Sequence, residues 1–506
     1  MIDATPLLRA YASWRGTQLD RQDPASVQER LLLRLVRHAA RTEFGQAHGF
    51  AGIRSVADFQ GQVALRKYEN FWRDWWQPRF PILENVTWPG RIPFFALSSG
   101  TTSGATKYIP VSRAMIRANR RAALDTLVHH YRNRPATRIL AGCNFLLGGS
   151  TDLKREAPGV YSGDLSGIAA VRVPLWARPW YFPLPNLALI ADWERKIDLI
   201  ARASLRTPIT ALSGTPSWLL VLFERLAGLR PASPRRLVSF YPRLELLVHG
   251  GVNFAPYQAR FAEWLEASHA ELREVYPASE GFIAIADRAP REGMRIILDN
   301  GLFYEFVPVA ELDADHPPRY WIANAEPGAD YALVLSTCAG LWAYVLGDVV
   351  RVLDRNPPRL LVVGRTSYFL SAYGEHLTGE EIEGAVLEAA TTMRVSVVEF
   401  SVGPEPGEGA RGRHVFVIEL EPGHSVLSAA FAQALDARLC QLNEDYRAHR
   451  RGGQMDLPRM VLARAGLFTD WMRARGRLGG QNKVPRVIND TALLESLLDF
   501  ATASHK

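Results

Sequence analysis

Between residues 135 and 260 short apolar runs such as RILAGCNFLLGG and RLELLVHGG alternate with longer helical stretches such as TPSWLLVLFERLAGL. This alternation narrows the fold more than any other feature of the chain, because a sheet whose strands are separated by amphipathic helices is the arrangement that buries the apolar face of both. It argues for an α/β domain. The flanks follow other periods. Up to about residue 60 apolar and arginine residues recur every three to four positions, as in QERLLLRLVRHAARTEF, which predicts helices. Beyond residue 280 come EGFIAIADR, MRIILD, GLFYEFVPV, YALVLSTCAGLWAYVLGDVVRVL and RLLVVGR, a β-rich portion. After Arg365 the texture changes to an amphipathic helix from Thr378, a strand pair (RVSVVEFSVG and GRHVFVIELEPG) around a Gly/Pro loop, and a helix around AAFAQALDARLCQLNEDYR. A chain of 506 residues has room for two to four domains. The division is expected at 364/365, with a large α/β domain over 1–364 and a smaller α+β domain over 365–506.

Several function classes drop out early. The formal charge is +7, but the arginines are spread along the whole chain, and the densest cluster, Arg473, Arg475 and Arg477, is short. No groove-reading motif accompanies it, so the charge points to a solvated surface and anionic small-molecule sites, with no nucleic-acid partner. Cys143, Cys338 and Cys440 are odd in number and far apart, unlike a zinc site or a redox dithiol. They read as buried thiols in a reducing, cytoplasmic setting. Asp3 and Arg9 interrupt what a secretory signal would need as its apolar core. The uncharged run from Tyr331 to Gly347 contains Ser336, Thr337 and Gly340 and meets Asp348 and Arg351 at once, so it is expected to be a buried strand and turn, with no membrane span. Trp72, Trp75, Trp76 and Trp88 are expected to pack as a connector.

One stretch carries a chemical signature by itself: Ser98, Ser99, Gly100, Thr101, Thr102, Ser103, Gly104, Ala105, Thr106, Lys107. Two glycines permit close backbone approach, hydroxyls and amides donate to phosphate oxygens, and a lysine closes the loop. Of 59 basic residues only six are lysines, which makes that placement informative. The pattern is not a Walker A loop, whose second glycine and lysine are adjacent and followed by Ser or Thr; here Tyr108 follows Lys107.

Ser-Ser-Gly-Thr-Thr-x-Gly-x-x-Lys resembles the phosphate loop of the adenylate-forming ligase superfamily, and the superfamily's other motifs follow in order. His249-Gly250-Gly251 resembles the turn on which adenine lies. Tyr276-Pro277-Ala278-Ser279-Glu280 resembles the Tyr-Gly-x-Thr-Glu motif, Ser336 to Asp348 the segment ending in Gly-Asp, and Val363-Gly364-Arg365-Thr366 the hinge. Gly374 to Glu383 resembles the signature opening a mobile C-terminal domain, with Thr378 and Glu381 as a capping box, and Gly480-Gln481-Asn482-Lys483-Val484-Pro485-Arg486 the loop carrying the adenylation lysine. Within the superfamily, Leu341 to Val349, Gly301 to Pro308 and Gln481 to Val487 are similar to the acyl-acid amido synthetases, the auxin-responsive promoter family. Two positions depart from it: Ala343 and Val345 stand where that family commonly has arginine.

The resemblance implies a large adenylate-forming domain and a smaller mobile one. It implies ATP as substrate with Mg²⁺, and activation of a carboxylic acid as acyl-adenylate followed by transfer to an amine, an amino acid. The alternative acceptor is a thiol, as in an acyl-CoA or acyl-carrier ligase. The implied nucleotide contacts are Ser98, Ser99, Gly100, Thr101, Thr102, Gly104 and Lys107 around the phosphates, then Gly250, Gly251 and Tyr276 around adenine, with Ser279 and Glu280 beside them. Asp348 and Arg365 would contact the ribose, and Glu280 would hold the metal. Catalysis would rest on Lys483, Lys107, Thr101 and Glu280. For the acyl pocket the candidates are the helix from Ala118 to Leu124 with Arg120 and Arg121, and the surroundings of Ser213, Trp218 and Phe282.

Overall fold

The computed structural model describes residues 2–99, 106–148, 153–183, 187, 190, 193–251, 254, 257–288, 292–312, 314–366, 370, 375, 377–406, 412–424, 426–451, 455–477 and 484–503. They form two compact units. The first holds the chain up to Ser98, Thr106–Leu346 and Val350–Val362; the second holds Gly347–Val349 and the chain from Val363 onward.

The first unit opens with α1 (Thr5–Asp20) and α2 (Pro24–Ala39). Asp23 accepts the Ser26 amide at 2.9 Å and Pro24 occupies the first helical position, a start written in the sequence. The α2 stripe of Leu31, Leu32, Leu35, Val36 and Ala39 enters the main core. The tryptophan-rich stretch packs there too: Trp76 is fully buried and donates to the Thr87 hydroxyl at 3.3 Å, while Trp342 donates to the Thr87 carbonyl at 2.9 Å. Then follow β1 (Phe94–Ser99), β2 (Thr106–Val111) and α3 (Arg113–Asn133), whose cap Ser112 accepts the Met115 amide at 3.0 Å.

The alternating region builds β3 (Cys143–Leu147), β4 (Lys154–Ala157), β5 (Val160–Gly163), β6 (Tyr181–Phe182), α4 (Trp193–Ser204), β7 (Ile209–Gly214), α5 (Pro216–Leu229), β8 (Leu246–Gly250), α6 (Gln258–Trp264) and β9 (Glu271–Ala278). Strands β6, β3, β7, β8 and β9 run parallel. Helices α4, α5 and α6 pack on them through Ile197, Leu219, Phe223 and Phe261, as the alternation predicts. The same sheet continues antiparallel through the β-rich portion: β10 (Gly281–Ile285), β11 (Met294–Ile296), β12 (Leu302–Pro308), β13 (Tyr320–Trp321), β14 (Asp330–Thr337), β15 (Tyr344–Arg355) and β16 (Pro358–Arg365). Its order is β13-β12-β14-β15-β16-β11-β10-β9-β8-β7-β3-β6, and a smaller sheet has the order β2-β1-β5-β4. The uncharged run Tyr331 to Gly347 is a buried strand, a turn and the start of the next strand. Among the described residues no helix is long and apolar enough to cross a membrane.

In the second unit β17 (Val397–Pro406) and β18 (Gly412–Leu420) pair antiparallel and β19 (Arg459–Ala463) joins β18 in parallel. Period-two alternation divides β18 between two cores. Phe416 and Ile418 face α7 (Gly379–Met393) and α8 (Ser428–Leu442), whereas Val415 and Val417 face α9 (Leu467–Ala474) and α10 (Thr491–Ala503). The capping box forms as expected: the Thr378 hydroxyl accepts the Glu381 amide at 3.2 Å and the Glu381 carboxylate accepts the Thr378 amide at 2.8 Å. The helix expected over AAFAQALDARLCQLNEDYR is instead two. Asn443 adopts an extended backbone and its side chain accepts the Tyr446 amide at 2.7 Å, ending α8 and capping a helix over Glu444–Arg451.

Candidate active site

In open α/β sheets ligands bind beyond the carboxyl ends of the parallel strands. Here β7, β8 and β9 end side by side, with Gly214 opposite His249 and Gly250 opposite Val275. That register brings the Gly250-Gly251 turn next to the Tyr276 to Glu280 segment. Gly250 is obligatory for the sheet itself, because a Cβ would stand 2.1 Å from the Val275 carbonyl oxygen. Gly251 has φ +82°, a conformation that favours glycine. His249 is buried and stacked on Phe254 at 3.8 Å, and desolvation drives its ring down to about 3, so it is neutral at physiological pH. Its register neighbour Glu274 is half-buried, and desolvation raises its carboxyl to about 7.

Tyr276 is only 6% exposed, with its ring in the main core and its backbone opposite Ala284. Ser279 is half-buried at the turn into β10. Glu280 is buried, and the phenol of Tyr344 donates a hydrogen bond to it. Burial, and then the Glu280 carboxylate, push that phenol well above its usual range, so Tyr344 stays a donor at any working pH. The sequence reading concerned the neighbours of Tyr344 and missed Tyr344 itself. Its signal was local, a polar aromatic set between apolar residues in a strand. Ala343 and Val345 are buried on either side of it, and Ala343 has φ +46° with its amide held by the Ser336 hydroxyl at 2.9 Å.

Lys107 is held on β2 by two contacts. Its ammonium lies 3.7 Å from the exposed Glu69 carboxylate and 5.2 Å from the centroid of the Tyr68 ring. The Tyr68 hydroxyl accepts the Tyr108 amide at 2.9 Å, and desolvation pushes its phenol up to about 12. The Glu280 carboxylate and, more weakly, Glu69 and Tyr68 act on the Tyr344 phenol. Ser98 ends β1 half-buried. Gly100, Thr101, Thr102, Gly104 and Lys483, with the side chain of Ser99, lie outside the described residues.

Within the second unit Arg365 donates to the Asp348 carboxylate at 2.9 Å, and the Thr366 amide and hydroxyl both reach the Gly347 carbonyl, at 2.8 and 3.3 Å. The two expected ribose contacts are thus each other's partners. Among the described residues no group of three or more His, Cys, Asp or Glu is gathered for a metal. Mg²⁺ asks for less, one or two carboxylates completed by substrate phosphates, and the single buried carboxylate of Glu280 fits that need.

The acyl-pocket candidates separate. Phe282 and Ala122 of α3 share one apolar cluster, whereas Trp218 packs in another. Ser213 donates to the Phe145 carbonyl at 3.4 Å. Arg120 and Arg121 donate to the backbone carbonyls of Arg172 and Asp299 respectively, so both guanidiniums are already engaged.

Comparison with known proteins adds an independent finding. Models of one family match three successive parts of the chain: the GH3 family N-terminal domain at residues 16–147, the central domain at 295–365 and the C-terminal domain at 380–492. Indole-3-acetic acid-amido synthetase GH3.8 of Oryza sativa subsp. indica is 30% identical over 255 residues, 46% of this chain and 41% of that protein. Indole-3-acetic acid-amido synthetase GH3.3 of Arabidopsis thaliana is 26% identical over 250 residues, again 46% and 41%. The chain therefore spans about two fifths of the length of these curated relatives. Among solved structures, the GH3.15 acyl acid amido synthetase superposes with a TM-score of 0.79 at 17% identity, covering 96% of this chain and 94% of that one. A 2-hydroxyisobutyryl-CoA ligase in the postadenylation state superposes with a TM-score of 0.62 at 17% identity, covering 95% and 92%. These superpositions show that the chain shares its fold with both proteins.

Proposed function

The chain belongs to the GH3 family of acyl-acid amido synthetases, and on that premise we propose that it is an ATP-dependent ligase joining a carboxylic acid to an amine, an amino acid, through an acyl-adenylate. The observation that carries this reading is the hydrogen bond from Tyr344 to the buried Glu280 in the first unit, with Gly250 and Gly251 at the end of the neighbouring strand. A carboxylate is a poor electrophile. Attack of its oxygen on the α-phosphorus of ATP expels pyrophosphate and leaves an acyl group bonded to AMP, a good leaving group for the amine that follows.

The chain's own residues bind and orient in this scheme, and no protein nucleophile is required. Ser99, Thr101, Thr102 and Lys107 hold the β- and γ-phosphates, where each aimed donor is worth about 3 to 4 kcal/mol in the transition state. Glu280, fixed by Tyr344, holds Mg²⁺, which when bound neutralises phosphate charge. Gly250, Gly251, Tyr276 and Ser279 border adenine, Asp348 and Arg365 meet the ribose, and Lys483 bridges carboxylate and α-phosphate. Residues 1–364 and 365–506 act as separate domains, the second turning at Arg365–Thr366 to exclude water from the acyl-adenylate and then to admit the amine. ATP use and three unbridged cysteines suit a cytoplasmic enzyme that takes small molecules and needs neither nucleic acid nor membrane.

The test is hydroxylamine-trapped acyl-adenylate formation with pyrophosphate release across a panel of carboxylic acids, each run with no acceptor, with pooled amino acids and with CoA. Acid-dependent turnover raised by amino acids and not by CoA is expected. Stimulation by CoA alone makes the protein a thioester ligase, and a Lys483→Ala variant as active as wild type refutes the mechanism.

A further inference from the structure

Helices α1 and α2 leave a cavity of about 280 Å³ between them, with Asp299, from the turn that joins β11 to β12, in its wall. Val27, Arg30, Leu31 and Arg34 recur every three to four residues, so one face of α2 lines one side. Arg15 and Gln18 of α1, and Gln22 just beyond its end, line the other. Arg15 and Leu31 are buried, whereas Gln18, Arg30 and Arg34 are exposed at the rim. None of these residues belongs to the motifs that implied the nucleotide site. The polar groups here are donors in search of acceptors. Among the described residues the side chains of Gln18, Gln22, Arg30 and Arg34 make no hydrogen bond or ion pair, and the exposed Asp23 acts on Arg30 only at longer range. Arg15 commits four of its five N–H groups to the Asp125 and Asp299 carboxylates, at 2.7 to 2.9 Å, which leaves one Nη1 hydrogen. Arg121 acts on the same two carboxylates, so these four charges balance and those of Arg30 and Arg34 remain.

We infer that this cavity binds a small anion carrying two oxyanion groups. A guanidinium fork takes a carboxylate or a phosphate through two parallel hydrogen bonds. Two forks one helical turn apart, with Cβ atoms about 5 to 6 Å from each other, match two such groups joined by a short spacer, as in succinate or pyrophosphate. Val27 and Leu31 flank the spacer, and the Gln18 and Gln22 amides with the remaining Arg15 hydrogen supply further donors. The volume, just under the lower bound of about 300 Å³ for pockets that take organic ligands, suits a molecule of that size. Occupancy also braces the first unit. Arg15 ties α1 to Asp125 of α3, and Gln28 of α2 donates to the Leu298 and Leu302 carbonyls at 2.6 and 3.0 Å, so the cavity sits inside one hydrogen-bonded frame of three helices and the β11–β12 turn.

Isothermal titration calorimetry of the full chain with succinate and with pyrophosphate, each in metal-free buffer, tests this. At least one probe is expected to bind saturably, with a Kd on the order of 1 mM or tighter. Two variants locate the site, and both replace exposed side chains, which protects the fold. Arg30→Gln combined with Arg34→Gln removes the two forks, and Gln18→Trp fills the mouth of the cavity without changing its charge. Each is expected to weaken that binding at least tenfold. Urea unfolding gives a second readout: at a ligand concentration 100 times Kd the unfolding equilibrium constant of the wild type should fall about 100-fold, and that of the paired arginine variant, at the same concentration, about tenfold or less. Binding of succinate alone assigns the site to organic dicarboxylates and binding of pyrophosphate alone to phosphates, and either upholds the inference. If no binding event of either probe weakens in both variants, the inference is overturned.

Discussion

Replacing Glu274 with glutamine tests the electrostatics at the carboxyl end of the parallel strands. Desolvation raises this carboxyl from 4.5 to about 7, beside a neutral His249 that offers no counter-charge. Each tenfold change in proton affinity is about 1.4 kcal/mol, so ionising Glu274 in the folded protein costs about 3 kcal/mol, trimmed to about 2 by the solvent reaching a half-buried side chain. The sign follows from the raised value. The stability contributed by the protonated form is fully present below pH 4.5, where the unfolded chain is protonated too, and is lost as pH rises toward 7. Glutamine keeps the shape and never ionises. Urea unfolding followed by tryptophan fluorescence at pH 5 and pH 8 should therefore show Glu274→Gln close to wild type at the lower pH and about 2 kcal/mol more stable at the higher. A stability difference that does not change between the two pH values, or one that favours the variant only in acid, refutes the account of this carboxyl.

Lys107→Ala should lower kcat/KM for ATP about 100-fold in the adenylation assay while leaving the thermal midpoint within a degree or so, because its protein partner Glu69 is exposed and such pairs contribute about 1 kcal/mol or less. Tyr344→Phe removes the donor to Glu280, and the Mg²⁺ concentration for half-maximal pyrophosphate release should rise several-fold; an unchanged magnesium titration would refute the proposed metal role of Glu280 and Tyr344. Gly250→Ala forces a methyl into the Val275 carbonyl and should yield little folded protein, whatever ligand is added during refolding, as judged by gel filtration and circular dichroism. Thr378→Ala breaks the capping box and should cost about 1 kcal/mol, seen as faster hydrogen exchange in the first turn of α7 and not in the first unit.

Much of this molecule was legible because the deciding interactions are local. Asp23 before Pro24 and Thr378 before Glu381 start helices by bonds spanning three residues, and any structure containing those helices must contain those caps. The alternation over residues 135–260 sufficed for parallel strands under helices, since the period of the apolar pattern is itself the geometry of burial. The break at Asn443 was harder to see, because nothing in ALDARLCQLNEDYR weakens helical periodicity until the asparagine side chain takes the Tyr446 amide. The acyl pocket was not legible. The apolar and aromatic residues that would line it have the composition of the core, and Phe282 and Trp218, one expectation in the sequence, pack in different clusters.

The sequence by itself determined the caps, the strand and helix periods, and the order of the chemical motifs, since each is carried by residues within a few positions of one another. Only the tertiary structure decided which of those motifs meet. Gly250 stands against Val275, Tyr344 reaches Glu280, and Arg486 joins Glu383 to Glu399 because strand order and register set distances between residues far apart in the chain. A register shifted by one residue would have turned each of those side chains to the opposite face of its sheet.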